Sequence, residues 1–315
     1  MTEPGCQHTI ERMATPSQQK KNWGFTALKL IGIGLFLWIL SRLDRETLLM
    51  FVGRINTRTC VVILILIMAL YGVKTLRWHL LVHRLGARPT LATSWRLYNI
   101  GVFLSTITPA KIGEVGRAAY LLRDGMDSRE AIMLAVIDRL MDGVVIAVVT
   151  ALGMGALFGW KLGAMSLTVI GVSFLCGGVL WKRHLMHHPN RWLVALQKIM
   201  DARTVILALL YTTLSWCIYF VLAVLLARSV GIAAPLTVLI ASFTVAGIIT
   251  LLPIAPSGLG TRDAALIALL LPYGVPAEQS VALGFLMFVT ILVSSIPGLY
   301  YWGRGHPGPH PLSVP

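Results

Sequence analysis

The sequence predicts an all-α polytopic membrane protein built as an inverted-topology repeat, each half made of three spans and one re-entrant helical hairpin. Three observations predict it. Hydrophobic residues make up 56% of the 315, charged residues only 13%, and mean hydropathy is +0.76. That is too little polar surface for a chain of this size to face water, so the bilayer must solvate much of it. Apolar runs of about 20 residues, each long enough to cross a bilayer, recur along the chain. Two further apolar regions are broken by proline and glycine at matching places.

In chain order, residues 1–22 form a polar N-terminal tail with Pro4, Pro16 and a Gln/Lys run. Full spans are expected at 23–40, 60–82, 131–160, 163–181, 204–227 and 281–301. The first lacks a small-residue cleavage pattern after it and reads as a retained helix, not a signal peptide. The broken regions are 94–122, interrupted around Pro109–Gly113, and 235–271, interrupted around Pro256–Gly260. Their apolar pieces are short for spans. Irregular backbone at membrane depth is tolerated only inside protein or beside a watery cavity, so each region is expected to be a re-entrant hairpin.

A shift of 147 residues carries Pro109 onto Pro256 and Gly113 onto Gly260. The same shift lays 60–82 over the span at 204–227, and 131–160 over that at 281–301. It lays 23–40 more loosely over 163–181. The chain therefore divides into a first membrane repeat at 23–160, a second at 161–303 and a tail at 304–315. An odd number of crossings per half starts the second half on the opposite side, which makes the repeats inverted.

Net charge is +14. Lys and Arg lie between apolar runs and form no single basic face, so the partner they imply is the anionic membrane surface and not nucleic acid. The segment 182–203 holds five of these cations, Lys182, Arg183, Arg191, Lys198 and Arg203, against Asp201 alone. The positive-inside bias places it in the cytoplasm, with both termini, in a cell (inner) membrane. The loop at 41–59, with four arginines, falls outside and runs mildly against the bias. On this topology the hairpins enter from opposite faces and their tips meet near the midplane.

Ionisable residues at membrane depth cost about 2.5–3.5 kcal/mol each on insertion scales and mark functional sites. The first hairpin carries Lys111, Glu114 and Arg117, the second Arg262 and Asp263, and the span after the first hairpin Asp138, Arg139 and Asp142. Helical spacing puts Glu114 with Arg117, and Arg139 with Asp142, on shared faces. Such pairs would also serve simply to pin the hairpins to the bundle. Lys111, Arg117 and Arg262 beside two half-helix N-termini suit an anionic headgroup. Lys74 and Arg77, near the end of the second span, are expected to snorkel to the cytoplasmic interface. His79 with His83, and the group His184, His187 and His188, lack the Cys or carboxylate that would complete a metal set, and Cys6, Cys60, Cys176 and Cys217 form no CxxC. No metal, cofactor or disulfide is expected. Nucleotide-loop, nucleophile-elbow and zincin motifs are absent, so no catalytic residue is assigned.

The run Thr108-Pro-Ala-Lys-Ile-Gly-Glu-Val-Gly-Arg-Ala-Ala-Tyr-Leu-Leu122 resembles the first signature of the lysylphosphatidylglycerol synthase transmembrane-region family. Ile137-Asp-Arg-Leu-Met-Asp142 resembles its second, and Ala255-Pro-Ser-Gly-Leu-Gly-Thr-Arg-Asp-Ala-Ala265 its third. The resemblance spans nearly the whole chain. That family is the flippase-like part of the multiple peptide resistance factor and also occurs as stand-alone proteins. It usually has Glu where Asp138 and Asp263 stand, and two glycines where Ser257 and Gly258 stand. Its synthase activity belongs to a separate soluble domain, for which the 14 residues from Trp302 to Pro315 leave no room. The resemblance therefore implies a flippase-like transporter and not an enzyme. The expected substrate is an anionic lipid, either a phospholipid or a polyprenyl-phosphate-linked lipid. Lys111, Glu114, Arg117, Arg262 and Asp263 are the expected headgroup ligands, and Asp138, Arg139 and Asp142 an intramembrane charge network. The alternatives are a lipid-modifying enzyme or an accessory subunit of lipid or glycan biosynthesis, and the partner beyond lipid is a second copy or such an enzyme.

The topology has a direct test. In a cysteine-free background, one cysteine placed within 41–59 should react with an impermeant thiol reagent in intact cells, and one within 185–195 should not. The reversed labelling pattern inverts the assignment.

Overall fold

A computed structural model describes residues 56–108, 116–123, 126–187, 199, 201–250 and 260–304, with residues 46, 50 and 53 as isolated points. The described chain is α-helical apart from one short 3-10 turn. The helices are α1 (Thr57–Arg84), α2 (Leu91–Ile107), α3 (Gly116–Arg123), α4 (Ser128–Phe158) and α5 (Trp160–His187). After them come α6 (Ala202–Ser229), α7 (Leu236–Ile249), α8 (Thr261–Leu270) and α9 (Ala277–Gly303). Among the described residues, α1, α6, α9 and the stretch Trp160–Val179 of α5 are long and apolar enough to cross a membrane. The expected span at 23–40 lies outside the described residues.

Local chemistry sets the helix ends. Asn56 accepts from the Thr59 amide (2.8 Å) to start α1, and Thr90 from the Thr93 amide (3.2 Å) to start α2. Thr108, which precedes Pro109, is extended (φ −103°, ψ 143°), as the proline ring demands of its neighbour, and α2 stops there. Asp201 caps α6 through the Thr204 amide (3.3 Å). Only Gly159, at φ 100°, separates α4 from α5. Helix α5 then runs on to His187, so the first residues of the predicted loop at 182–203 are helical.

The hairpin arms are short. Helix α7 has 14 residues and α8 has 10, about 21 and 15 Å at 1.5 Å per residue, against roughly 30 Å of hydrocarbon. Helix α1, with 28 residues, is about 42 Å long and spans with length to spare.

Lipid-type surface is plain on the outer helices. Val61, Leu64, Ile65 and Met68 on α1 and Met165, Val169 and Leu175 on α5 are all exposed. A continuous apolar face of this kind is stable only against hydrocarbon or another apolar partner. The buried side chains form two clusters. One draws on α6–α9, with Phe243, Leu266, Leu283 and Met287; the other is drawn mainly from α1–α4, with Trp78, Leu97, Tyr98 and Leu134.

Exchange of the halves (α1 with α6, α2 with α7, α3 with α8, α4 with α9) leaves the neighbour pattern unchanged. Contacts of α2 with α9 have their mate in α7 with α4; α3 with α4 matches α8 with α9, and α1 with α2 matches α6 with α7. The self-paired helices, α1 and α6, run antiparallel: Arg84 meets Asp201 at one end (3.6 Å) and Arg77 meets Thr212 further in (2.9 Å).

Two crossings depend on glycine for close approach. A Cβ on Gly298 of α9 would run into the Asn99 carbonyl of α2, and one on Gly163 would sit 2.6 Å from the Gly155 Cα. Gly72, by contrast, has nothing within 4 Å of the same position. Gly298→Ala should therefore cost about 1–3 kcal/mol and lower the melting temperature of the purified protein in detergent, while Gly72→Ala should leave it unchanged or slightly raised. Equal melting of Gly298→Ala and wild type would mean that α2 and α9 do not meet at this glycine.

Candidate functional site

A charged knot sits where α1, α3, α4 and α6 come together. Arg77, on α1, is wholly buried, and its planar fork reaches two carboxylates one helical turn apart on α4. Nη2 lies 2.7 Å from Asp138 Oδ1, and Nη1 donates to Asp142 Oδ1 at 2.7 Å. Nη1 also donates to the Thr212 hydroxyl on α6 at 2.9 Å. Arg117, on the first hairpin, donates to the other oxygen of Asp138. Its guanidinium lies over the Tyr98 ring at 4.4 Å and near Trp78 at 5.7 Å, so the hairpin arm is held by α1, α2 and α4 at once. Arg139 completes the knot at longer range, 3.5 Å from Asp138 and 3.6 Å from Asp142.

Burial grades across this knot. The side chains of Arg77 and Asp138 are 0% exposed and that of Arg117 is 2%, but Asp142 is 13% and Arg139 38% exposed. The sealed part is structural: several kcal/mol of desolvation per ion is offset only because each charge has a near-ideal partner. The Arg139–Asp142 edge is where something from outside can meet the charges. Among the described residues the knot gathers three guanidinium groups and two carboxylates.

The second hairpin builds a different arrangement. Gly260, at φ 78°, turns the chain into α8, and its amide donates to Asp263 Oδ2 at 2.9 Å. Arg262 donates to the Gly284 carbonyl of α9 at 2.6 Å and lies 3.5 Å from Asp263. Both side chains are buried. A Cβ on Gly284 would collide with the Asp263 carboxylate, so α8 docks on α9 at a point that only glycine permits.

Of the expected site residues, Arg117, Asp138, Arg139 and Asp142 come together. The expected Arg139–Asp142 pair is present, but Asp142 has a much closer partner in Arg77. Arg262 and Asp263 are turned to their own hinge and to α9. Lys111 and Glu114 lie outside the described residues, as does His188; His184 and His187 are on α5, with their side chains outside the described set. His79 bonds Ser94 (2.7 Å) and His83 the Pro89 carbonyl (3.1 Å), which fastens α1 to the start of α2.

The expectation that Arg77 snorkels is corrected: it is the hub of the knot. Sequence signals could have shown this. Arg77 is seven residues inside the end of α1, roughly 10 Å along the axis, and large apolar residues (Trp78, Leu81, Val82) follow it. A snorkelling arginine would sit at the rim. Thr212, Tyr98 and Trp78 were also missed, since nothing in an apolar span marks one threonine or aromatic residue as a charge partner.

The lysylphosphatidylglycerol synthase TM-region family model matches residues 26–298, and the chain belongs to that family. A relative from Methanothermobacter thermautotrophicus, described as a UPF0104 membrane protein, is 22% identical, the match covering 72% of this chain and 79% of that one. No solved structure matches the chain.

The knot makes a sharp prediction about stability. Arg77→Met strands two buried carboxylates and should cost about 3–5 kcal/mol, read as a large drop in melting temperature or loss of monodisperse protein. Adding Asp138→Asn and Asp142→Asn should recover much of it. An Arg77→Met protein as stable as wild type would show that the carboxylates do not depend on Arg77.

Proposed function

We propose that this member of the lysylphosphatidylglycerol synthase TM-region family is a lipid transporter of flippase type, moving an anionic lipid between leaflets of the cell membrane, and not an enzyme. The observation that carries the reading is the graded knot: a sealed Arg77–Asp138–Arg117 centre with an edge at which Arg139 is partly exposed and Asp142 slightly so, in a helical bundle whose apolar outer faces suit lipid. An arginine at the edge of a buried ion network offers a lipid phosphate a charge-assisted partner with little new desolvation, because the carboxylates already hold it in place.

On this reading Arg139 meets the headgroup and Asp142 orients it. Arg77 and Asp138 keep both from collapsing into the apolar core. Arg117 fastens the first hairpin; Lys111 and Glu114, outside the described residues, remain proposed headgroup ligands on sequence grounds. Arg262 and Asp263 hold the second hairpin to α9 and act by positioning it. The exchange-invariant neighbour pattern and the antiparallel α1–α6 pair support an inverted repeat; the cations of 182–203 support placing both termini in the cytoplasm. Alternating access would then be a rocking of one half against the other about that pair.

The test is reconstitution into liposomes carrying a labelled anionic phospholipid or polyprenyl phosphate, with an impermeant quencher outside. Wild type should equilibrate the label between leaflets. Arg139→Gln should slow this at least ~10-fold, the loss of one charge-assisted contact worth about 1.4 kcal/mol, with unchanged melting temperature. Arg139→Lys should keep most of the rate. Wild type that equilibrates neither lipid sinks the transport reading, and a covalently altered lipid would favour an enzyme.

A further inference from the structure

An open cavity of about 560 Å³ lies between α1, α2 and α9, and no residue of the charged knot lines it. Its size falls in the range of small-ligand sites. Gly72, Thr75 and Leu76 of α1 form one wall, Trp95 and Arg96 of α2 another, and Tyr301 of α9 closes the end. Three features suit a lipid. The wall is apolar apart from a few polar groups. Arg96 is exposed, with its guanidinium 6.0 Å from the Tyr301 ring centre. Trp95 and Tyr301 are the amphipathic aromatics that settle at headgroup level.

Thr75 supplies an independent sign. It is 2% exposed, lines the cavity, and its hydroxyl has no hydrogen-bond partner among the described residues. Helical threonines elsewhere in the chain, among them Thr150, Thr212, Thr244 and Thr290, donate to the carbonyl four residues back. A buried hydroxyl left unmatched at a cavity wall calls for a partner inside the cavity.

The cavity has a partial counterpart. A second one, of about 310 Å³, is lined by Met154, Val238 and Ser242 among others. The 147-residue shift carries Leu91 and Trp95 of the first onto Val238 and Ser242 of the second, and Tyr301 back onto Met154. It puts buried Phe243 where Arg96 stands. The second cavity takes its third wall from α8 and not from α6, and it has no cation among its lining residues, whereas the first has Arg96.

We propose that the α1–α2–α9 cavity docks one membrane-resident anionic phospholipid. Arg96 takes the phosphate, Thr75 donates to an ester carbonyl, and an acyl chain lies along Gly72 and Leu76. Selection for charge belongs to this cavity and not to the second one. The site is distinct from the knot, and its occupancy is a matter of binding, measurable whether or not the chain moves lipid across the membrane.

Native mass spectrometry of the purified protein in neutral detergent, offered phosphatidylglycerol and phosphatidylcholine in equal amount, tests this. Wild type should retain one phosphatidylglycerol in preference by about fivefold, the selectivity one arginine near a headgroup supplies. Arg96→Gln should bring the two lipids near parity and Arg96→Lys should keep the preference. Gly72→Phe, which grows into space that is empty for 4 Å around the added Cβ, should lower retention of both lipids. Adducts unchanged in Arg96→Gln and Gly72→Phe, no preference in wild type, or displacement of the lipid by inorganic phosphate would each overturn the proposal.

Discussion

A guanidinium buried in an apolar bundle must find in protein what it gave up in water, and Arg77 finds it on two other helices. Its fork is planar and its donors are fixed, so Asp138 and Asp142 have to stand one turn apart on the face of α4 that meets α1. Thr212 must then bring α6 against the same group. The register of three long helices follows from one side chain. Removing any partner leaves a charge stranded at low dielectric, a far larger penalty than losing an apolar contact. The ordinary apolar clusters of the two halves pack around this constraint, but none of their side chains specifies register so narrowly.

The two halves fasten their short helices in related ways but with different acceptors. Each hairpin carries an arginine at the second position of its returning arm, Arg117 in α3 and Arg262 in α8, and each arginine reaches the long helix that follows. In the first half the acceptor is Asp138, a carboxylate that also takes Arg77 and Arg139. In the second it is the Gly284 carbonyl, and the local carboxylate, Asp263, is spent on the Gly260 amide. The mechanical task, fastening a short broken helix to its neighbour, is common to both. Among the described residues that fasten the hairpins, those of the first half include ionised groups beyond what fastening needs, and one of them, Arg139, is 38% exposed, whereas Arg262 and Asp263 are buried.

Much of the fold was legible in the sequence, because a bilayer leaves few options. Apolar length identified α1, α4, α5, α6 and α9. The paired proline–glycine breaks fall beside the short helices α3, α7 and α8, while the break at 109–113 and all but Gly260 of that at 256–260 lie outside the described residues. The site was half legible. Asp138, Arg139 and Asp142 are spaced one turn apart or less, so a helix alone brings them together. Arg117 and Asp138 come from separate elements, and only their shared oddity in apolar surroundings linked them. Arg77 was misread because snorkelling explains most basic residues near span ends; its depth in the helix, not its type, distinguishes it. The separation of Arg262 and Asp263 from the knot was not legible either. Sequence shows that a charge is costly in lipid, but a backbone carbonyl such as that of Gly284, freed for close approach by the missing Cβ, carries no mark in the sequence.

On the proposed transport reading, the distances within the knot set how a lipid headgroup acts there. The contacts of Arg77 are at 2.7 Å, whereas those of Arg139 are at 3.5 and 3.6 Å. An incoming phosphate that draws Arg139 away therefore breaks the loosest links and leaves Asp138 and Asp142 still held by Arg77. Arg117 shares Asp138 with both, so the pull on that carboxylate changes as Arg139 leaves, and the change reaches the hairpin arm through Arg117. The strong links keep the bundle intact while the weak ones exchange. A site assembled from equally short ion pairs would have to break its own scaffold to admit a ligand, and one with no short pairs would have no scaffold at membrane depth to begin with.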